Sequence, residues 1–177
     1  MEIKYGDIIL CELKDEHIDN LVRWNTFDDK WMGWDAPWEI DPPFDDITHR
    51  ERQLEYIMRY GFQIEYEGCH IGWVNAYKID ENYNHATVGR IALYIDIFEP
   101  DKWDIGRNAY IAFINYWFSC GYNRLYMQTC SDNERMMRMA EGIGFRLCHR
   151  GVGGHIYDVI TMKIDKVDFT CYGDYTM

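Results

Sequence analysis

Residues 91–145 constrain the fold of this 177-residue chain more than any other stretch. An apolar run at 91–97 reads as a strand, Gly106 marks a tight turn, and 109–118 is apolar enough to be a buried helix. A second strand follows at 124–129, after which Ser131-Asp132-Asn133 opens a second helix that closes on Gly144-Phe145. A strand, a turn and a helix in that order set the open N–H groups of the first helical turn beside a strand end. Those N–H groups have no partner inside the helix, so they form a ready anion site. Two such units in succession suit a phosphate-bearing cofactor lying along the separating ends of two strands.

The chain is 47% hydrophobic, so one domain over residues 1–177 can bury its own core. No segment approaches the ~20 consecutive apolar residues of a membrane span, and Met1-Glu2-Ile3-Lys4 lacks the basic-plus-apolar layout of an export signal. The expectation is a cytoplasmic protein with no membrane contact. Cys11, Cys69, Cys120, Cys130, Cys148 and Cys171 include no C-x-x-C pair, and the adjacent pairs Cys69-His70 and Cys148-His149 lack further ligand spacing. Reduced thiols and no metal site are therefore expected. A formal net charge of −12 repels phosphate backbones and excludes direct nucleic-acid binding, while it attracts cationic small molecules and basic peptides.

Along the chain, 3–13 reads as an opening strand and Asp15 caps a helix through Trp24. Residues 25–46 are irregular and rich in Trp and acids. Asp46 opens a helix ending at Gly61, and 62–66 with 69–79 make a hairpin about Glu67-Gly68. After a polar loop at 80–85 comes a strand at 86–97, apolar along much of its length, as in a sheet covered on both faces. The helix at 106–120, the strand at 125–129 and the helix through Glu141 follow. Strands at 145–149 and 155–164 close the pattern, joined by a loop at Gly151-Val152-Gly153-Gly154. The class is α+β: a mixed, twisted sheet of six or seven strands with helices on both faces.

The ordered set of Gly68, Ile71, Gly72 and Trp73, then Gly106-Arg107-Asn108-Ala109, then Tyr116-Trp117-Phe118 resembles the GNAT superfamily of N-acetyltransferases. Gly121, Asn123-Arg124-Leu125, the run from Asn133 to Gly142-Ile143-Gly144-Phe145, and Tyr157-Asp158-Val159 with Met162 extend the match. The nearest branch is that of the ribosomal-protein N-terminal and antibiotic-modifying acetyltransferases. The resemblance implies acetyl-CoA as donor and a primary amine as acceptor, either a cationic small molecule or a peptide N-terminus. It implies that the segment Asp104, Ile105, Gly106, Arg107, Asn108 and Ala109 binds pyrophosphate, with Asp104 in or beside the place of a usual glycine. Asn133 would contact the pantetheine arm as well as cap its helix, and Arg135 would reach a CoA phosphate. Dimers are common in that branch, so the resemblance leaves a homodimer open.

An alkylamine with a pKa near ~10.4 is neutral only about one part in a thousand at pH 7, which costs roughly 4–5 kcal/mol. A carboxylate that removes the ammonium proton, directly or through water, recovers part of that cost. Asp96 at the end of the strand is the favoured base, with Glu99, Asp35 and Glu39 as alternatives. Tyr94, Ser131, Tyr157 or water would serve the leaving thiolate, because Ala140 and Met136 stand where the family places an acid. The backbone N–H groups near Tyr94 and Ile95 would polarise the acyl carbonyl. Trp34, Asp35, Trp38 and Glu39 would line the acceptor side, where aromatic faces beside carboxylates favour a cationic amine. The missing acids and Asp104 support an alternative, a GNAT-fold module that binds CoA or a partner without turnover.

Overall fold

The computed structural model describes residues 1–26, 51–52, 54–55, 59–92, 103–153, 157–169 and 175–176. Glu67 and Gly68 both adopt positive φ (50° and 75°), the combination that lets a two-residue turn match the twist of its strands. They join β3 (Gly61–Tyr66) to β4 (Cys69–Tyr77), which pair antiparallel as the sequence leads one to expect. The opening run is not one strand. It divides into β1 (Glu2–Tyr5) and β2 (Ile8–Cys11), because Gly6 takes φ +58° and folds the two into a hairpin.

The remaining strands are β5 (His85–Ala92), β6 (Arg124–Cys130), β7 (Arg146–Gly153), β8 (Tyr157–Asp165) and the two-residue β9 (Tyr175–Thr176). One sheet in the order β7-β8-β6-β5-β4-β3-β2-β1-β9 joins them. The six or seven expected strands are thus corrected to eight and a short ninth. The opening hairpin accounts for part of the excess. Residues 151–153, expected in a loop, instead extend β7 and pair with β8.

Among the described residues, the sheet is flanked by α1 (Asp15–Thr26), α2 (Trp103–Ser119) and α3 (Glu134–Ile143). Residues 51–52, 54–55 and 59–60 are also helical, within the helix expected at 46–61. The apolar face shared by Ile8, Leu10, Ile64, Val74, Ala76, Val88, Leu125 and Met127 is covered by α2, whose Tyr110, Phe113, Ile114 and Trp117 are buried in the same core. Ala140 and Ile143 bring α3 onto that face, and Gly144 ends it in the left-handed conformation at φ +114°. On the opposite face α1 sets Leu21 and Trp24 against Trp73. A sheet clad on both faces explains why α2 is apolar nearly all round while α1 is amphipathic.

Candidate active site

Every strand pair among the described residues is antiparallel except β5–β6, which runs parallel. That pairing is short: His85↔Arg124, Ala86↔Leu125 and Thr87↔Tyr126, after which the two strands part. Both continue, β5 against β4 as far as Ala92 and β6 against β8 as far as Cys130. The sheet therefore carries a split that opens toward the carboxyl ends of its two parallel strands. In sheets with parallel strands, ligands bind in a crevice at that end, where neighbouring strands diverge.

Which backbone groups face the split follows from alternation along a strand. The His85 carbonyl accepts from the Asp80 N–H (2.9 Å) on the β4 side, so residues 86, 88, 90 and 92 turn their backbone groups toward β6. The Ser131 N–H donates to the Asp158 carbonyl (2.9 Å) on the β8 side, so residues 128 and 130 turn theirs toward β5. Past the last pair, the amides of Arg90, Ala92 and Gln128 point into the opening rather than into a ladder.

Two helices begin at this same end. Three residues separate β6 from the first residue of α3, and Asn133 caps α3: its Oδ1 accepts from the Met136 N–H (3.1 Å), and its own N–H donates to the Cys130 carbonyl (3.1 Å). The capping role expected of Asn133 is therefore present, and the half-buried side chain stands at the mouth of the split. Helix α2 starts at Trp103, three residues earlier than the turn at Gly106 was expected to allow. Gly106 is a buried helical residue, because Ile105, Ala109 and Tyr110 already pack into the core and carry the helix back past it. The open amides are accordingly those of the first turn, Asp104 and Ile105 among them, whereas the amides of Gly106, Arg107, Asn108 and Ala109 lie inside the helix. Asp104 is exposed, and as an acid in the first turn it complements the helix dipole. Arg107 and Asn108 are half-buried, Ala109 is fully buried, and Arg135 is exposed on the first turn of α3.

The expected catalytic residues Asp96 and Tyr94, together with Ile95 and Glu99, lie outside the described residues. So do Trp34, Asp35, Trp38 and Glu39. Of the other groups considered for the thiolate, Ser131 is half-buried and its Oγ accepts from the Asp158 N–H (3.3 Å). Ala140 is buried in the core and Met136 packs against it.

The acetyltransferase (GNAT) domain model matches residues 7–146, which is most of the chain. The chain belongs to the GNAT acetyltransferase family. None of the curated proteins compared matches this GNAT chain. Among solved structures, RimL, a ribosomal L7/L12 alpha-N-protein acetyltransferase in complex with coenzyme A, superposes with a TM-score of 0.74 at 15% identity, covering 93% of this chain and 98% of its own. Spermidine N-acetyltransferase from Vibrio cholerae, in complex with CoA and spermine, gives 0.72 at 16% identity with 92% and 98% covered. Mycobacterium smegmatis RimJ, in complex with CoA-disulfide, gives 0.74 at 14% identity with 94% and 87% covered. These likenesses establish the GNAT fold.

The GNAT sheet also gathers a polar cluster that sequence reasoning missed. Cys11, His17 and Glu65 bring their ligand atoms within 4.8 Å of one another, from β2, α1 and β3. His17 Nδ1 accepts from the Lys14 N–H (3.2 Å), so its proton sits on Nε2 and is donated to Glu65 Oε1 (2.9 Å). A metal on Nε2 would need that proton removed while Nδ1 still faced a donor, so the tautomer opposes ligation. Burial pushes the Cys11 thiol up to about 12, and the neighbouring Glu65 carboxylate adds to that. Burial alone would raise Glu65, but hydrogen bonds from Lys14, His17 and Cys11 outweigh it and hold the carboxyl below its ordinary value. Beside this cluster His70 donates from Nε2 toward Gln63 Oε1 (3.0 Å) and the Gly72 carbonyl (3.1 Å). Burial, then the His17 ring nearby, depress His70 to about 4, so it is neutral at physiological pH. The cluster pins α1 to the sheet. Glu65 lies 48 residues from His17 and 51 from Lys14, a separation no local pattern reveals.

Proposed function

We propose that this chain transfers an acetyl group from acetyl-CoA to a primary amine, either a cationic small molecule or a protein N-terminus. The observation that carries the reading is the split between β5 and β6, with two helix N-termini opening at its mouth. The donor set fits the cofactor: the α2 first turn suits pyrophosphate, the strand amides suit the amide-bearing pantetheine arm, and the side-chain amide of Asn133, three residues past β6, would contact that arm. Bound acetyl-CoA supplies an activated acyl thioester.

The chain's own residues do the rest. The amides of Asp104 and Ile105 hold the pyrophosphate, with Gly106, Arg107, Asn108 and Arg135 beside them, and Ala109 closes the packing beneath. Asp96 takes the ammonium proton of the acceptor, Tyr94 serves the leaving thiolate, and the amide of Ile95 polarises the acyl carbonyl. Trp34, Asp35, Trp38 and Glu39 receive the cation, a role that the net charge of −12 favours through long-range attraction. We place the reaction in the cytoplasm, in one domain able to pair as a homodimer.

The buried Ala140 and the exposed acid Asp104 favour a second reading, a CoA-binding module without turnover. Calorimetric titration with acetyl-CoA, followed by thiol release across polyamines, aminoglycosides and peptide N-termini, separates the two. Acetyl-CoA-dependent thiol release with at least one amine is expected. Tight CoA binding with no release on any amine favours the module, and no CoA binding overturns both.

A further inference from the structure

Tyr110 is fully buried on α2, and its hydroxyl donates to the Val88 carbonyl at 2.8 Å. Val88 is the first β5 residue past the last β5–β6 pair, and its carbonyl faces β6 by the alternation that sends the His85 carbonyl to the other side. In a parallel ladder carried one step further, that carbonyl would accept from the Gln128 N–H. The phenol takes it instead. Val88 is itself fully buried, so water is poorly placed to replace the phenol. The Tyr110 ring stacks on Phe145 (centroids 6.0 Å apart, planes at 17°), just beyond α3. One side chain thus joins α2, β5 and the segment after α3.

We infer that Tyr110 is a positioning residue that keeps the β5–β6 split open by occupying the carbonyl that would otherwise extend the ladder to Gln128. The inference rests on reading the split as the CoA site. A buried carbonyl left without a donor is costly, and one more ladder bond is its nearest remedy. Paired strands lie only about 4.8 Å apart, which leaves no room for a cofactor arm between them. Removing the hydroxyl therefore closes the split by one step and withdraws the Gln128 amide from it.

The test compares the full chain with Tyr110→Phe, using CoA titration calorimetry, acetyl-CoA kinetics and residue-resolved amide exchange by NMR. Tyr110→Phe is expected to bind CoA about tenfold more weakly, the scale set by one hydrogen bond to a buried group. The KM for acetyl-CoA rises by a similar factor with kcat unchanged, and the Gln128 amide exchanges more slowly in the variant without ligand. Phe113→Leu, a core substitution on the same helix, lowers the melting temperature and leaves CoA affinity per folded molecule unchanged. Tyr110→Met, which also lacks the hydroxyl but packs differently, is expected to reproduce the Tyr110→Phe result and replaces it if the Phe variant folds poorly. Equal CoA affinity with unchanged Gln128 exchange overturns the inference. A wild-type chain that does not bind CoA overturns the functional reading, and Gln128 exchange in the variant then decides the role of Tyr110 alone.

Discussion

The two sides of β6 obey different rules. Toward β8 it pairs along its whole length, from Arg124↔Asp165 to Cys130↔Val159, whereas toward β5 it pairs over three residues and then turns its amides to an opening. The strand pairs with β8 in unbroken register, so the split does not come from a weak strand. It comes from what α2 places against β5 and from the two helix starts that crowd the carboxyl end. The closed side holds the fold, and the open side is where a ligand finds unpaired donors.

The comparison predicts that changes on the closed side cost stability and spare binding. Leu125 is fully buried beneath the short paired region. Leu125→Ala is expected to lose about 2–5 kcal/mol in urea denaturation, the usual range for a buried leucine truncation, with CoA affinity per folded molecule unchanged. A matching loss of affinity would mean the two sides of β6 are not separable.

The polar cluster beneath α1 gives a pH-dependent version of the same test. His70 has a folded pKa depressed from 6.5 to about 4, so the unfolded chain binds its proton first as pH falls. Its neutral form contributes stability that is fully present above 6.5 and is lost as pH falls from 6.5 toward 4. The carboxylates titrate in part of that window, so the comparison is made against His70→Gln. Melting temperature in the variant is expected to fall less steeply between those limits. Identical slopes would show that His70 is not held neutral by burial.

At the mouth of the split, stability and binding should separate within one residue. Asn133→Ala removes the α3 cap and is expected to cost about 1 kcal/mol, while Asn133→Ser keeps a capping oxygen and restores most of it. Both are expected to weaken CoA by a similar factor, because neither retains the amide. Restoration of affinity by Ser would reduce Asn133 to a cap.

Much of this architecture was legible in the residues. The Glu67-Gly68 turn, the amphipathic α1 and the apolar α2 each follow from local chemistry, and so does the Asn133 cap. Where reading failed, a local signal was overridden by packing. Gly106 looks like a turn, but Ile105 and Ala109 bury on either side of it and draw it into α2. The apolar run at Ile8, Ile9 and Leu10 masked the reversal at Gly6. The Cys11–His17–Glu65 cluster and the Tyr110–Val88 bond join distant positions, and the second depends on strand alternation that only pairing reveals. Asp96, Tyr94 and the Trp-rich acceptor segment remain proposals drawn from resemblance and charge.

The central claim is that the split itself receives the cofactor, and amide exchange on the wild-type chain with and without saturating CoA tests it most directly. The Gln128 amide, facing the opening, is expected to exchange rapidly alone and to slow sharply with CoA. The Thr129 amide, turned toward Ile160 on β8, is expected to be protected in both states. A Gln128 amide that exchanges at the same rate with and without bound CoA would contradict the account.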